Sequence, residues 1–353
     1  MSIPVAIVGA SGYTGAELLR LLSAHPTARV TRVFARRSAG ARVEDVFPQF
    51  RGALSMPIEA FDADAAAGAA EIAFTALPHG DSAEAVAALR ERGVVVIDLS
   101  ADFRLRDAEV YARWYGGEER APHPAPALLG EAVYGLPERY RDDIAGAGIV
   151  AGPGCYPTAA VLAVAPLLEA GLVEPDVVID AKSGASGAGR SPSQATHLPE
   201  AGEGVRPYKI AGGHRHTPEI VQEMGLAAGR AAKVLFTPHL LPMSRGLLAC
   251  VYARPTPGTA ENQAVFEDAL AAAYAHEPFV TALSGGACPD TAHVRGSNRA
   301  HVSVRYDEAS GRVLAMCALD NLVKGASGQA VQCMNLMCGA EETAGLAGAG
   351  FFP

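Results

Sequence analysis

The sequence predicts an α/β protein, with a doubly wound parallel sheet in its first part and an α+β domain with a mixed sheet in its second. Three observations point there. The apolar run "VAIVGA" (5–10) opens directly into glycines spaced G-x-x-G-x-x-G. Strand-like and helix-like runs then alternate as far as "VVVIDLS" (94–100), the pattern of a parallel sheet. Beyond residue 176, strand-like runs predominate.

The chain has 353 residues, enough for about two domains. Hydrophobic residues make up 49% and charged residues 19%, which suits large cores and excludes a disordered chain. The formal charge is −9 and no basic stretch could track a phosphate backbone, so nucleic acid is not an expected partner. No apolar run reaches about 18 residues, so no membrane span is expected. "IPVAIVGASG" turns strand-like by residue 3 without a basic leader, so no signal peptide is expected either. The six cysteines form no C-x-x-C pair, which argues against a disulfide framework or a zinc ribbon and fits a reducing cytoplasm.

"VAIVGA" reads as a strand buried on both faces. "AELLRLLSAH" (16–25) has helical spacing, with Leu18, Leu19, Leu21 and Leu22 on one stripe. "ARVTRVFA" (28–35), "EIAFTAL" (71–77) and 94–100 read as strands, and "SAEAVAALRERG" (82–93) as a helix. Gly9 lets the chain turn after the first strand. Gly12 clears the approach of a pyrophosphate to backbone N–H groups, and Gly15 allows close helix–strand packing. Between a strand and a helix this is the Rossmann-type dinucleotide signature rather than an ordinary turn. Gly9, Ser11, Gly12, Tyr13, Thr14 and Gly15 are its candidate contacts.

The second strand ends in "ARRSAG", where an NAD site usually carries an acid. Arg36, Arg37 and Ser38 suit a 2′-phosphate, which favours NADP(H) over a merely solvated basic turn. "LPHGDSA" (77–83) ends the third strand and makes Leu77 and Pro78 candidate cofactor contacts, while His79 reads equally as a surface residue. "ADFRL" (101–105) puts Arg104 beyond a strand's carboxyl end, where it could clamp a carboxylate or phosphate or form a surface ion pair.

"IVAGPG" (149–154) reads as a strand and "TAAVLAVAPLLEAGL" (158–172) as a helix, kinked or split at Pro166. "GPGCYPT" (152–158) therefore sets Cys155 at or near a helix N-terminus. There the dipole favours a thiolate and first-turn N–H groups can hold an oxyanion. Pro157 is at home in that turn. The other five cysteines read as buried hydrophobes.

In "GGHRHTPEI" (212–220), Thr217 as cap and Pro218 as first helical residue place His214 and His216 just before a helix. Glu219 is close enough in sequence to orient His216. A histidine suits acid–base work near neutrality. The H-x-H pair has no evident third ligand, so no metal is expected, and a surface histidine pair is the plainer alternative. "KSGASGAG" (182–189), with Arg190 next, reads as a loop that lets backbone approach a ligand, or as a flexible surface loop. It contributes Ser183, Gly184 and Gly187 as candidate cofactor contacts, and Ser186 and Arg190 as candidate substrate contacts.

Strands are expected in 176–182, 236–255 and 300–307, and a helix over 261–280. "ALDNLVKGASGQAVQCMNLMCG" (318–339) runs from strand through a glycine-bounded turn into a long helix. Its Asn321 and Gly325 are candidate nicotinamide neighbours. "APHPAPALLGEA" (121–132) reads as a loop insertion.

"GASGYTGAEL", "LPHG", "SADFRL", "GPGCYPTAA", "SGASGAGR", "AGGHRHTPEI", "PMSRG" and "DNLVKGASGQAVQ" occur in this order along nearly the whole chain. The set resembles the N-acetyl-γ-glutamyl-phosphate reductase family, which is related to the aspartate-semialdehyde dehydrogenases. The resemblance implies NADPH-dependent reduction of an acyl phosphate to a semialdehyde in arginine biosynthesis. It implies Cys155 as nucleophile, His216 as acid/base with His214 as the alternative, Glu219 as orienter and Arg104 as substrate ligand. It also implies a homodimer or homotetramer. Residues 1–150, completed by 318–353, are expected to bind NADP, with 151–317 as the catalytic and oligomerisation domain. The rival readings are a reductase of aspartyl phosphate or of carrier-linked aminoadipyl phosphate, a non-catalytic NADP-binding regulator, and a redox-sensing thiol protein.

Overall fold

The computed structural model describes residues 2–259 and 262–352. They cluster into two compact units. One runs to Pro153 and takes in Ala326–Ala347; the other is Gly154–Gly325 with the tail from Gly348.

In the first unit, β1 (Ile3–Val8), β2 (Ala28–Phe34), β3 (Ile72–Thr75), β4 (Val95–Asp98), β5 (Ala132–Tyr134) and β6 (Ile149–Ala151) form a wholly parallel sheet. Its order is β2-β1-β3-β4-β6-β5. The chain leaves β1 to one side and returns to the other, so the carboxyl ends of β1 and β3 flank the switch point where such sheets bind ligands. The intervening helices are α1 (Tyr13–Ser23), α2 (Val43–Val46), α3 (Ala63–Ala67), α4 (Asp81–Glu91), α5 (Ala108–Tyr115) and α6 (Pro137–Ala145). Ala6, Phe34, Ala73 and Val96 pack with Ala83, Val86 and Leu89 of α4 in one core. Helix α1 begins at Tyr13 rather than at 16, so Gly15 lies in its first turn.

The second unit contains α7 (Cys155–Glu169), β7 (Asp176–Gly184), α8 (Leu198–Ala201), β8 (Arg206–Pro207), α9 (Thr217–Ala228), β9 (Lys233–Leu241), β10 (Leu247–Ala253), α10 (Gln263–Tyr274), β11 (Val280–Ala282), β12 (Ala300–Asp307) and β13 (Arg312–Leu319). The sheet is mixed, in the order β11-β12-β13-β10-β7-β9-β8. The β7–β9 and β11–β12 pairs are parallel and the rest antiparallel. Strand β7 alternates as a half-covered sheet requires: Val177, Ile179 and Ala181 are buried, whereas Val178 is 39% exposed. The last helix, α11 (Gly328–Met337), belongs to the first unit and packs on α1 and α6.

Several expectations need correction. Helix α7 starts at Cys155, not 158, and runs unbroken through Pro166. A proline there removes the N–H that would bond the carbonyl four residues back. The Tyr274 hydroxyl donates to that carbonyl, Leu162 O, at 2.7 Å, so the helix tolerates the gap. Thr217 does not cap α9. It is the first helical residue, and His216, already helical in backbone, takes the cap position without a side-chain cap bond. The run 236–255 is two strands, β9 and β10, which lie on opposite sides of β7. The helix expected over 261–280 spans only α10, and its far end is β11; Glu261 lies outside the described residues. The first three residues of the 182–189 stretch finish β7, and Ala185–Ala188 form a 3-10 turn.

The stretch 318–353 is divided between the units, because Leu319 ends β13 and Asn321 bonds to Gly246 within the second unit. Its end, Pro353, lies outside the described residues. Of the five cysteines read as buried, Cys317 and Cys333 are, Cys250 is half-buried, and Cys288 and Cys338 are exposed. No helix among the described residues is long and apolar enough to cross a membrane.

Candidate active site

Gly9, Gly12 and Gly15 divide between two roles. Gly9 has φ +92, and a β-carbon on it would stand 2.4 Å from the Ala76 carbonyl oxygen. A β-carbon on Gly15 would stand 2.5 Å from Cα of Ala10. Both close approaches pack the turn against the protein itself. A β-carbon on Gly12 would meet nothing nearer than the Gly9 oxygen at 4.0 Å, so this glycine leaves open space at the helix start. The N–H groups of Gly9 and Ala10 both donate to Phe34 O, at 2.9 and 3.0 Å, which brings the turn against the end of β2. Arg36, Arg37 and Ser38 follow that strand end, with both arginines exposed.

Two buried carboxylates hold the neighbouring loops. Asp102 accepts the Gly80 and Ala83 N–H groups at 2.9 Å and the Tyr111 hydroxyl at 2.7 Å. It thereby fastens the turn after Leu77 and Pro78 to the start of α4. Asp98 accepts hydroxyls from Thr75, Ser82 and Ser100. Burial pushes its carboxyl up, opposed by those hydroxyls. Arg104 is turned inward. Its Nε donates to Gly152 O at 2.7 Å and its Nη2 to Leu99 O at 2.9 Å, joining the chain beyond β4 to the chain beyond β6.

In the second unit, Cys155 is the first residue of α7 and is half-buried. Gly325 makes room for it: a β-carbon on Gly325 would lie 2.8 Å from that of Cys155. Gly154 makes room for His216, whose Nε2 stands 2.6 Å from where a Gly154 β-carbon would be. Glu219, 1% exposed on the first turn of α9, accepts the Gly154 N–H at 2.8 Å. A helix start leaves N–H groups without intrahelical acceptors; the carboxylate takes one of them and fixes α9 against the first turn of α7.

His214 stands behind His216. Its Nδ1 accepts the His216 N–H at 3.1 Å, so in the neutral ring the proton sits on Nε2. Tyr156, Tyr208 and Phe236 box its ring edge-to-face, with centroids 5.6, 5.5 and 5.3 Å away. Burial first, then the charges of Lys209 and Arg215, push His214 down to about 4. The Tyr208 hydroxyl donates to that of Tyr156 at 3.1 Å, and Tyr156 donates to His239 O at 3.2 Å. Burial, partly offset by that bond and joined by charge on Cys155, pushes Tyr208 up to about 12.

The structure thus brings Cys155, His216, His214 and Glu219 together with Gly325. A second cluster joins Asn321, Ser186, Ser183 and Gly187. Asn321 Nδ2 donates to Ser186 Oγ at 2.9 Å, and its Oδ1 accepts the Gly246 N–H at 2.9 Å. Ser183 Oγ lies 3.2 Å from where a Gly187 β-carbon would be. Gly184 has a packing role, since a β-carbon there would meet the Ser244 backbone at 2.8 Å. Arg190 lies exposed on the loop beyond. Sequence reasoning passed over Tyr156, Tyr208, Lys209 and Arg215. Their only signal was adjacency to the Cys155 and His214–His216 motifs. Among the described residues no group of three or more His, Cys, Asp or Glu could hold a metal ion.

Residues 4–147 match the semialdehyde dehydrogenase NAD binding domain, and residues 155–321 match the semialdehyde dehydrogenase dimerisation domain. An N-acetyl-gamma-glutamyl-phosphate reductase of Citrifermentans bemidjiense is 49% identical over 347 residues, 98% of each chain. One from Magnetococcus marinus is 49% identical over 353 residues, 100% of this chain and 99% of its own. Among solved structures, aspartate semialdehyde dehydrogenase II of Vibrio cholerae, complexed with ASA, superposes with TM-score 0.71 at 18% identity, covering 96% of this chain and 98% of that one. The Candida albicans aspartate semialdehyde dehydrogenase with NADP gives 0.69 at 15% identity, covering 96% and 99%. At such identities these two likenesses concern the fold.

Proposed function

The chain belongs to the semialdehyde dehydrogenase family, in its N-acetyl-γ-glutamyl-phosphate reductase branch, and from that premise we propose that it reduces N-acetyl-γ-glutamyl phosphate to N-acetylglutamate 5-semialdehyde and phosphate with NADPH, a step of arginine biosynthesis. The observation that carries the chemistry is Cys155 at the first position of α7, with His216 Nε2 seated against the glycine before it.

The residues present fit NADP(H). The open space at Gly12 suits a pyrophosphate, and Arg36 and Arg37, exposed just after β2, suit a 2′-phosphate. The reading also assigns to the cofactor Gly9, Ser11, Tyr13, Thr14 and Gly15, which follow β1 into α1, and Leu77 and Pro78, which follow β3. When bound, the dinucleotide supplies the hydride that turns a thioester into an aldehyde.

The protein's own residues do the rest. The Cys155 sulfur adds to the acyl carbon, and phosphate leaves with the electron pair of its C–O bond, giving a thioester. N–H groups at the start of α7 stabilise the tetrahedral oxyanion. When the aldehyde forms, the C–S bond breaks and sulfur keeps the pair. His216 takes the thiol proton and returns it. His214 and Glu219 hold that arrangement from behind, through the His216 N–H and the Gly154 N–H. The same reading assigns Ser186, Arg190 and Arg104 to the substrate and Ser183, Gly184, Gly187, Asn321 and Gly325 to the cofactor; the Arg104 Nε and Nη2 groups are engaged by Gly152 O and Leu99 O. The low cysteine count supports a cytoplasmic setting. The match to a dimerisation domain supports a homodimer or homotetramer.

The test is NADP⁺ reduction by purified protein given N-acetylglutamate semialdehyde, with and without inorganic phosphate. Phosphate-dependent NADPH formation, with aspartate semialdehyde inert, is the expected result. Turnover of aspartate semialdehyde alone would overturn the substrate assignment.

A further inference from the structure

We infer that Asp320 is a positioning residue for hydride transfer: it holds the turn 321–325 against Cys155, so that the acyl carbon carried on the sulfur stands where the cofactor reaches it. The inference deepens the functional reading above and rests on it.

Asp320 follows β13 directly and is fully buried. A carboxylate is costly to bury unless donors surround it. Here four donors converge. Oδ1 accepts the Leu322 N–H at 2.8 Å and the Val323 N–H at 3.1 Å. Oδ2 accepts the Gly296 N–H at 2.7 Å and lies 3.5 Å from Nη1 of Arg245. An ionised carboxylate only accepts, which is what an all-donor site requires. An asparagine of the same shape would bring two hydrogens of its own into it.

The backbone of the same residue closes the turn. Its carbonyl accepts the Val323 N–H at 3.2 Å and the Gly325 N–H at 2.9 Å. The second bond has the i to i+5 spacing of a π-turn, a rare geometry that is frequent at functional sites. The next residue continues the grip. Asp320 faces Arg245 and Asn321 accepts the Gly246 N–H, so two adjacent residues hold two adjacent residues. The anchor on the other side is fixed as well: Gly296 lies in a turn where the Phe351 N–H donates to Arg295 O at 2.7 Å.

These ties decide where Gly325 lies. A β-carbon on it would stand 2.8 Å from Cβ and 3.2 Å from Cα of Cys155. The turn's backbone is therefore pressed on the residue that carries the acyl group, and Asp320 is the one buried side chain that bonds both the turn and a separate segment. A displacement of about 1 Å in reacting groups can cost 10²-fold in rate.

Asp320→Asn keeps the shape and breaks the donor–acceptor match; Asp320→Ala removes the anchor. Each variant is mixed with NADP⁺ and N-acetylglutamate semialdehyde without phosphate, and the burst of NADPH is followed. Its amplitude counts competent sites, and its rate constant reports transfer at each of them. The rate constant should fall about tenfold or more in Asp320→Asn and further in Asp320→Ala. Semialdehyde deuterated at the aldehyde carbon should slow it again, which places the loss in hydride transfer. A second arm uses the protein without cofactor: alkylation of Cys155 by iodoacetamide, followed on its peptide, should speed up severalfold as the turn loosens. A residue serving the fold alone would lower the amplitude and the melting temperature and leave the rate constant unchanged, and that result overturns the proposal. So does a slower burst without a deuterium effect, an unchanged alkylation rate in both variants, or failure of both variants to fold. Absence of a burst in the unaltered protein would instead contradict the functional reading, and the alkylation rates would still decide whether Asp320 holds the turn on Cys155.

Discussion

The His216 ring occupies the space that a side chain on Gly154 would fill, its Nε2 2.6 Å from the position of a β-carbon there. Gly154 itself has an ordinary extended backbone, φ −67 and ψ 153, so space and not conformational freedom demands the glycine. Gly154→Ala should push the ring off the start of α7 and lower kcat by about 10²-fold or more. Cys155 should still react with iodoacetamide. Near-normal turnover would show that His216 does not act from this position.

His216→Asn should cost about 10²–10⁴ in rate if its ring moves the proton. His214→Asn should cost less, because the amide can still accept the His216 N–H. Kinetics of the two variants side by side check this. A large loss confined to His214→Asn would exchange the two roles.

Burial, with Lys209 and Arg215, holds His214 at about 4, below the 6.5 of an exposed histidine. The unfolded chain therefore binds the extra proton between these values. The contribution to stability is complete above pH 6.5 and is lost as pH falls toward 4. Melting temperatures measured across this range should fall with acid, and less steeply in His214→Asn.

Glu219→Ala leaves the buried Gly154 N–H without its acceptor and should destabilise the protein by about 1–3 kcal/mol in denaturant titration. Glu219→Gln retains an acceptor oxygen and should cost less.

Tyr274→Phe strips the hydroxyl from the carbonyl that Pro166 leaves unbonded. The expected loss is about 1–2 kcal/mol of stability with kcat unchanged. A change in kcat alone would contradict this purely structural role.

Much of the first unit was legible because its strands are continuous apolar runs separated by helical periodicity, and because Gly9, Gly12 and Gly15 punctuate one βα junction. Pro166 misled, because its partner Tyr274 is 108 residues away, and no local pattern carries that bond. The break in 236–255 was hidden because β9 and β10 both carry apolar runs, and their places on opposite sides of β7 have no local signal. Cys155, His214, His216 and Glu219 were found from local chemistry. The acceptor role of Glu219 toward Gly154 was not, since it depends on packing α9 against α7.

The central claim is that the acyl group passes through the Cys155 sulfur. The most direct test mixes the protein with N-acetylglutamate semialdehyde and NADP⁺ without phosphate, then quenches and weighs the Cys155 peptide. About one NADPH per chain should form in a burst, with an N-acetylglutamyl group on Cys155 that is released when phosphate is added. NADPH formation with an unmodified Cys155 peptide, or undiminished turnover in Cys155→Ala, would contradict it.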